Sequence, residues 1–454
     1  MFKFDYDVIV IGGGTAGLGA YRKAKSLGKK ALLIEKNDFV TTCASVGCMP
    51  SKLLIAASDI MHEIMKAPQF GINVEEINID QNKLLSRVRA ERDRFVGFVK
   101  RGADNIVAED KIIGAGYIRD KNTVEVNGKA YTTKTLVVAT GSTPFIPDVY
   151  HSILHKALTN ENVFEIEKLP SSLAVVGAGV IGMELGFAMK NLGVDVTLIN
   201  VGDKIMGLNQ DINDYLVNHL KNELNFISDK KVVKAEEVLD SYGIKCIELH
   251  FDDGSSKVFE NVLLAAGRKP AFKNIGLENA FSGDPLKEYN RETTQIGNTN
   301  IFFAGDVNND IPLLHEAAKE AVFAGENAAL YPEIKSFKRL VPLGVAFTSP
   351  QIMQVGQTRN LPDDVIKGTV SFEDQGRSRV MLKNLGMLNV YFDRTSHKFI
   401  GAEMMGPNAE NIAHAFAWII ELGVTLEQVL EFPFYHPVVE EGVRTAFRDA
   451  ATKI

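Results

Sequence analysis

At 454 residues, 45% of them hydrophobic and 24% charged, the chain has the balance of a soluble globular protein of about three domains. Its net charge of −7 argues against nucleic acid or an anionic membrane as main partner. No apolar run reaches the roughly 18–20 residues of a membrane span, and three cysteines make no disulfide framework.

The N-terminus enters a strand pattern at once and leaves no room for a signal peptide, which predicts a cytoplasmic protein. The stretch DVIVIGGGTAGLGAYRKAKSLGKKALLIEK (7–36) reads as strand, glycine-rich turn, helix and strand. Gly12, Gly14 and Gly17 have the spacing of a dinucleotide turn: the first for the tight bend, the second for backbone approach to a pyrophosphate, the third for helix–strand packing. Glu35, at the end of the next strand, is placed to accept hydrogen bonds from a ribose diol. Next comes TTCASVGCMPSK (41–52) with Cys43 and Cys48. Four readings compete for this pair. A structural zinc needs four ligands and an inert disulfide suits a different compartment. Quiet core thiols and a redox-active dithiol beside an electron acceptor remain. Residues 80–110 follow as a charged amphipathic helix.

The first pattern then recurs. In SLAVVGAGVIGMELGFAMKNLGVDVTLIN (172–200), Gly177, Gly179 and Gly182 repeat the first three glycines at one constant offset, and that offset carries Glu35 to Asn200. Each half closes with an apolar strand running into glycine: TLVVATGSTP with Gly141, and NVLLAAGRKP with Gly267. Two dinucleotide sites on one chain imply two cofactors, the layout of a flavoenzyme that exchanges hydride with a nicotinamide. NTNIFFAGDVNNDIPLLHEAA (298–318) adds a strand ending at Asp306, suited to a ribityl hydroxyl, then a helix starting near Pro312 whose positive end would face a reduced flavin. The plain alternative for Asp306 is a turn-forming residue. From about residue 339 the pattern alternates as an antiparallel sheet with helices. The fold class is α/β, with two Rossmann-like dinucleotide-binding domains and a C-terminal α+β domain.

With these motifs in order, the sequence resembles the pyridine nucleotide–disulfide oxidoreductases, and most closely their dihydrolipoamide dehydrogenase branch. Cys43, Gly47, Cys48, Pro50, Ser51 and Lys52 match the family's redox motif, and "ATG", "AAGRKP", "FFAGD", "GAGVIGMELG", "KNIGLE" and "HPVVEE" extend the match along the chain. The resemblance implies FAD and NAD as cofactors, with NADP not excluded, and no metal. Cys48 would be the thiolate against the flavin and Cys43 the thiol that exchanges with substrate. Lys52 and Glu184 would form an ion pair near the flavin, with Val180 as the shielding side chain. His436 would be the acid–base, oriented by Glu441. The same likeness adds Thr42, Gly141, His315 and Gly267 to the cofactor-binding set. It implies FAD-binding segments 1–148 and 271–338, an NAD(P) domain 149–270 and a dimerisation domain 339–454. The expected protein is a homodimer that oxidises dihydrolipoamide or a similar small dithiol with NAD+. The alternatives are an NAD(P)H-dependent reductase of another disulfide, such as glutathione, and a transhydrogenase or diaphorase-type flavoprotein. Mercuric reduction is disfavoured by a C-terminus, FRDAATKI, without a cysteine pair. Membership of a 2-oxo acid dehydrogenase complex is left open.

The chain departs from the pattern in places. Val40, Thr41 and Thr42 stand where the family usually has Gly-Gly-Thr, and Ser45 replaces an Asn. Phe434 replaces a His, Val438 a Thr, and Glu440 a Ser or Thr. Asn200 replaces the Glu of NAD-specific relatives, while Gly182, not Ala, leans toward NAD.

Overall fold

The run YDVIVI becomes the strand Tyr6–Ile11, with Val8, Ile9 and Val10 fully buried. A run this apolar suits a parallel strand covered on both faces, and that is its place in the computed structural model, which describes residues 3–454. The described chain divides into two compact units. One holds the residues up to Pro50 with Arg87–Phe145 and Gly267–Leu340; the other holds Ser51–Ser86, Ile146–Ala266 and Val341–Ile454.

In the first unit, the parallel strands lie in the order Lys111–Ile113, Ala31–Glu35, Tyr6–Ile11, Lys129–Val138 and Ile301–Phe303. Helices Thr15–Ser26 and Leu314–Leu330 pack on one face through small residues. A Cβ added to Gly19 would fall 2.7 Å from the Ala321 Cβ, and one on Gly325 2.5 Å from the Ala20 carbonyl oxygen. That close approach packs the two helices tightly against each other. The second of them starts at Leu314, just past the expected Pro312.

In the second unit, Ser172–Val176 lies between Asp195–Ile199 and Asn261–Leu264 in a parallel sheet, with Asn225–Ile227 outside. A three-stranded antiparallel sheet spans Val232–Phe259. The C-terminal part is a five-stranded antiparallel sheet in the order Leu343–Ala346, Gln351–Gly356, Phe399–Gly406, Met387–Phe392, Ile366–Ser371. Helices Ala409–Leu422 and Glu441–Ala451 cover it, their Phe416 and Phe447 packed on Phe399, with ring centroids 5.0 and 5.8 Å away. The protein is thus α/β with two nucleotide-type parallel sheets and a C-terminal α+β part.

Candidate active site

The three glycines of the first turn meet three different constraints. Gly12 has φ +105°, and a Cβ there would fall 2.4 Å from the Ala139 carbonyl oxygen; one on Gly17 would fall 1.7 Å from that of Gly12. At Gly14 an added Cβ would meet nothing within 4 Å, so bare backbone faces open space. The second turn repeats this: Gly177 and Gly182 exclude a Cβ at 2.4 and 1.9 Å, and Gly179 is open. The helices that begin there, Thr15–Ser26 and Val180–Asn191, have neither a side-chain cap nor an acidic residue in the first turn. Their positive ends are therefore left for an anion. Two such cradles fit two pyrophosphates.

The strand ends match as well. Glu35 Oε2 accepts the Gly13 N–H at 2.5 Å, and Asn200 Oδ1 accepts the Ala178 N–H at 3.1 Å. The first carboxylate keeps lone pairs for a ribose diol. The amide at the second site donates its Nδ2 to the Gly202 carbonyl, 2.8 Å away, and carries no charge. Val180 opens the second helix and is 41% exposed.

Asp306 follows Gly305, whose φ of 78° and ψ of −162° suit glycine alone. Ser142 Oγ donates to Asp306 Oδ2 at 2.8 Å; Arg268 in turn donates Nε to Ser142 Oγ at 2.8 Å and a terminal N–H to the Ser142 carbonyl at 2.7 Å. Sequence reasoning missed Ser142 and Arg268, although each directly follows a singled-out glycine, Gly141 or Gly267. Those two glycines have φ of +70° and +115°. His315 lies exposed in the first turn of the helix after Asp306.

Cys43 sits half-buried in the short helix Thr42–Ser45, where Thr42 is exposed; Cys48 is exposed and opens the helix Cys48–Lys66. A helix start favours negative charge, as a thiolate requires. Between them, a Cβ on Gly47 would lie 2.9 Å from the Thr42 carbonyl oxygen and 3.3 Å from the Cys43 Cα. Glycine there brings the two segments close. The departures from the family pattern bond to one another: Thr41 caps the short helix by accepting the Ala44 N–H at 3.2 Å, and Ser45 Oγ donates to the Thr41 carbonyl at 2.9 Å. Cys246 is buried on its strand, and burial pushes its thiol pKa up, as for an inert core thiol.

Lys52 and Glu184 meet at 2.6 Å, the carboxylate buried and the ammonium half-buried. Glu184 also accepts the Phe347 N–H at 3.0 Å and the Ser51 hydroxyl at 3.3 Å, while the Lys52 Nζ lies 4.5 Å over the Phe347 ring. Phe347 was not foreseen; nothing local in the sequence marks it.

His436 Nδ1 lies 3.0 Å from Glu441 Oε2, and Arg444 donates to the other carboxylate oxygen at 2.9 Å. The bond from His436, with Arg444 beside it, holds the Glu441 carboxyl below its ordinary pKa. The imidazole is 81% exposed, its Nε2 left for an external partner. Phe434, at the position of the family's other His, packs against the C-terminal core instead, with Arg444 over its ring at 5.9 Å. Elsewhere, Glu236, Glu248 and His250 gather on the three-stranded sheet, but the Lys234 ammonium already pairs with Glu236 at 2.7 Å.

Residues 6–321 match the pyridine nucleotide-disulphide oxidoreductase family and residues 343–447 its dimerisation domain. The chain belongs to this family of flavoprotein oxidoreductases. Relatives of comparable similarity carry two names. A mercuric reductase of Staphylococcus aureus is 29% identical over 97% of this chain and 82% of its own length. Dihydrolipoyl dehydrogenases of Geobacillus stearothermophilus and Halobacterium salinarum are 28% and 30% identical, over 97% and 98% of this chain and 95% and 96% of theirs. The crystal structure of LpdA from Mycobacterium tuberculosis shares the fold, with a TM-score of 0.83 at 21% identity over 97% of this chain and 99% of that one. No helix among the described residues is long and apolar enough to cross a membrane.

Proposed function

We propose that the protein is an FAD-dependent dithiol–disulfide oxidoreductase that oxidises dihydrolipoamide with NAD+, working as a homodimer in which the His436–Glu441 dyad of each chain serves the cysteines of the other. The observation that carries this reading is the dyad, an imidazole held at Nδ1 by a carboxylate and presented outward. Thiol–disulfide exchange must move protons near neutral pH, and a positioned histidine contributes about 10²–10⁴-fold to such a transfer.

The chain's residues then have these roles. One substrate thiol gives its proton to His436 Nε2, and the thiolate attacks Cys43 Sγ. The Cys43–Cys48 bond breaks and Cys48 leaves as a thiolate. His436 passes its proton to solvent and takes the second; the second substrate thiolate attacks the substrate sulfur of the mixed disulfide, closing the product disulfide and releasing Cys43. Two electrons have passed to the chain's dithiol. A bound FAD would relay that pair to a nicotinamide.

Segments 1–148 and 271–338 would hold the flavin, through Gly12, Gly14, Gly17, Glu35 and Asp306. Segment 149–270 would hold the nicotinamide, through Gly177, Gly179, Val180, Gly182 and Asn200, with 339–454 forming the dimer interface. Thr42, Gly141, His315 and Gly267 would complete the cofactor set, and the Lys52–Glu184 ion pair would supply a held positive charge for the flavin. Asn200 supplies neither a carboxylate for the ribose nor a cation for a 2′-phosphate; Gly182, as opposed to Ala, is what leans the reading toward NAD(H).

The test assays the purified protein with dihydrolipoamide plus NAD+, with glutathione disulfide plus NADPH, and with Hg²⁺ plus NADPH. Turnover of the first pair is expected; turnover of either other pair without the first overturns the substrate assignment. His436→Ala should lower dithiol turnover by about 10²–10⁴-fold while NADH-dependent dye reduction persists. Equal loss of both would contradict the acid–base role.

A further inference from the structure

Behind the turn that carries Asp306 lies a buried ionic cluster that the proposed chemistry does not use. Glu316 and Glu320, both on the helix Leu314–Leu330, are each 1% exposed. Arg339 donates to both, at 2.9 Å to Glu316 Oε2 and 2.6 Å to Glu320 Oε1. The two carboxylates differ in what else they touch. Glu320 Oε2 accepts the Gly305 N–H at 2.8 Å and the Asn308 side-chain N–H at 2.8 Å, while Tyr289 Oη donates to Oε1 at 3.4 Å. Glu316 leaves Oε1 buried without a hydrogen-bond partner.

Glu320 thus grips both ends of the segment 305–308. Gly305 has backbone dihedrals suited to glycine, and a Cβ there would lie 3.0 Å from the Ala16 Cβ, so the turn has little freedom to relax. Asn308 is pinned further by Tyr289 Oη at 3.0 Å. Asp306 lies between these anchors, its own carboxylate held from the other side by Ser142. Burying a carboxylate this deeply is unfavourable unless it is paired and fully hydrogen-bonded. For Glu320 burial pushes the carboxyl above its ordinary pKa; Arg339 gives the largest offset to this, and the bonds to Gly305 and Asn308 that shape the turn add to the compensation.

We infer that Glu320, fixed by Arg339, is a positioning residue that sets the turn 305–308 and through it the aim of Asp306 at the flavin. The inference rests on the reading of Asp306 as a flavin contact. Charge-assisted hydrogen bonds to a backbone N–H and a side-chain amide hold the turn more firmly than neutral ones would. Glu316 shares the arginine but not the turn.

The experiment measures the rate of FAD release from the purified holoprotein for Glu320→Gln, Glu316→Gln, Asp306→Asn and the double variant Glu320→Gln/Asp306→Asn. Glu320→Gln should speed release about tenfold, the effect of weakening one charge-assisted hydrogen bond, and Glu316→Gln should leave it unchanged. In the Asp306→Asn background, Glu320→Gln should add little, because it acts through Asp306. Equal effects of the two glutamate variants, or multiplicative effects in the double variant, would reduce the cluster to general stability and overturn the inference. If Asp306→Asn speeds release and Glu320→Gln does not, the inference fails while the flavin contact stands. If Asp306→Asn leaves release unchanged, the reading of Asp306 itself fails. Should Glu320→Gln give insoluble protein, Arg339→Lys, which keeps the charge but loses the planar fork, is scored in the same way.

Discussion

Glu184 shows how much a buried side chain depends on its neighbours. Its carboxylate is 5% exposed and is satisfied by Lys52, Ser51 and the Phe347 N–H together. Lys52→Met keeps the length of the side chain but leaves the carboxylate facing a thioether. Breaking a fully buried pair from one side costs about 3 kcal/mol or more, and less here because the ammonium is only half-buried, whereas replacing both partners with neutral groups costs less still. The urea midpoint should therefore fall clearly for Lys52→Met and recover in part for Lys52→Met/Glu184→Gln. A double variant no better than the single would mean that the pair is not energetically coupled. The same local accounting explains Thr41 and Ser45. They depart from the family's sequence, yet Thr41 caps the short helix carrying Cys43 and Ser45 bonds the Thr41 carbonyl. A chain that uses glycine at position 41 has no side chain to make this cap.

The helix Gln210–Glu223 is tied at its first turn to two strands of the C-terminal sheet. Asp211 bonds Lys367 on Ile366–Ser371, and Asn389 on Met387–Phe392 at 3.0 Å. Burial raises the pKa of this carboxyl, but Lys367 and Asn389 outweigh it and hold the group below its ordinary range. A depressed folded pKa adds stability that is full above the ordinary value of about 4 and is lost as pH falls through the folded value. Amide exchange in this helix should accelerate over that acid window, and Asp211→Asn should flatten the pH dependence; an unchanged profile would remove the tie. Nothing in the local sequence marks this contact, because Asp211, Lys367 and Asn389 are far apart in the chain. What was legible had a short period or a fixed spacing. The glycines at 12, 14 and 17 and their repeat announced the two nucleotide turns, each through its own steric demand. The helix over 80–110 appears as Gln81–Asp104. Ser142, Arg268 and Phe347 were not legible, because their parts depend on which strand ends and loops the fold brings together. Glu320 was hidden for a related reason: a glutamate on a helix reads as solvent-facing until the structure places Arg339 and the Gly305 N–H against it.

At the scale of the whole molecule, the dyad raises the question of which chain it serves. His436 is exposed with its Nδ1 occupied, and the segment bearing it falls within the match to the dimerisation domain. If each dyad serves the other chain's cysteines, two inactive proteins should complement each other. One chain carries Cys48→Ser and keeps His436; the other carries His436→Ala and keeps its cysteines. In a mixed dimer, one site then joins an intact dithiol to an intact histidine, and the other joins two defects. Random pairing makes about half of the dimers mixed, so about a quarter of all sites should regain dithiol turnover in a closed twofold assembly. If the dyad serves its own chain, every site in the mixed dimer keeps one defect and no activity returns. Co-expression with two affinity tags, isolation of the doubly tagged species and a dithiol assay separate these outcomes. Dye reduction in the same samples shows that both chains have folded and bound flavin. A mixed species inactive with dithiol but active with dye would place the whole site within one chain and leave the exposure of His436 to be explained by substrate access alone.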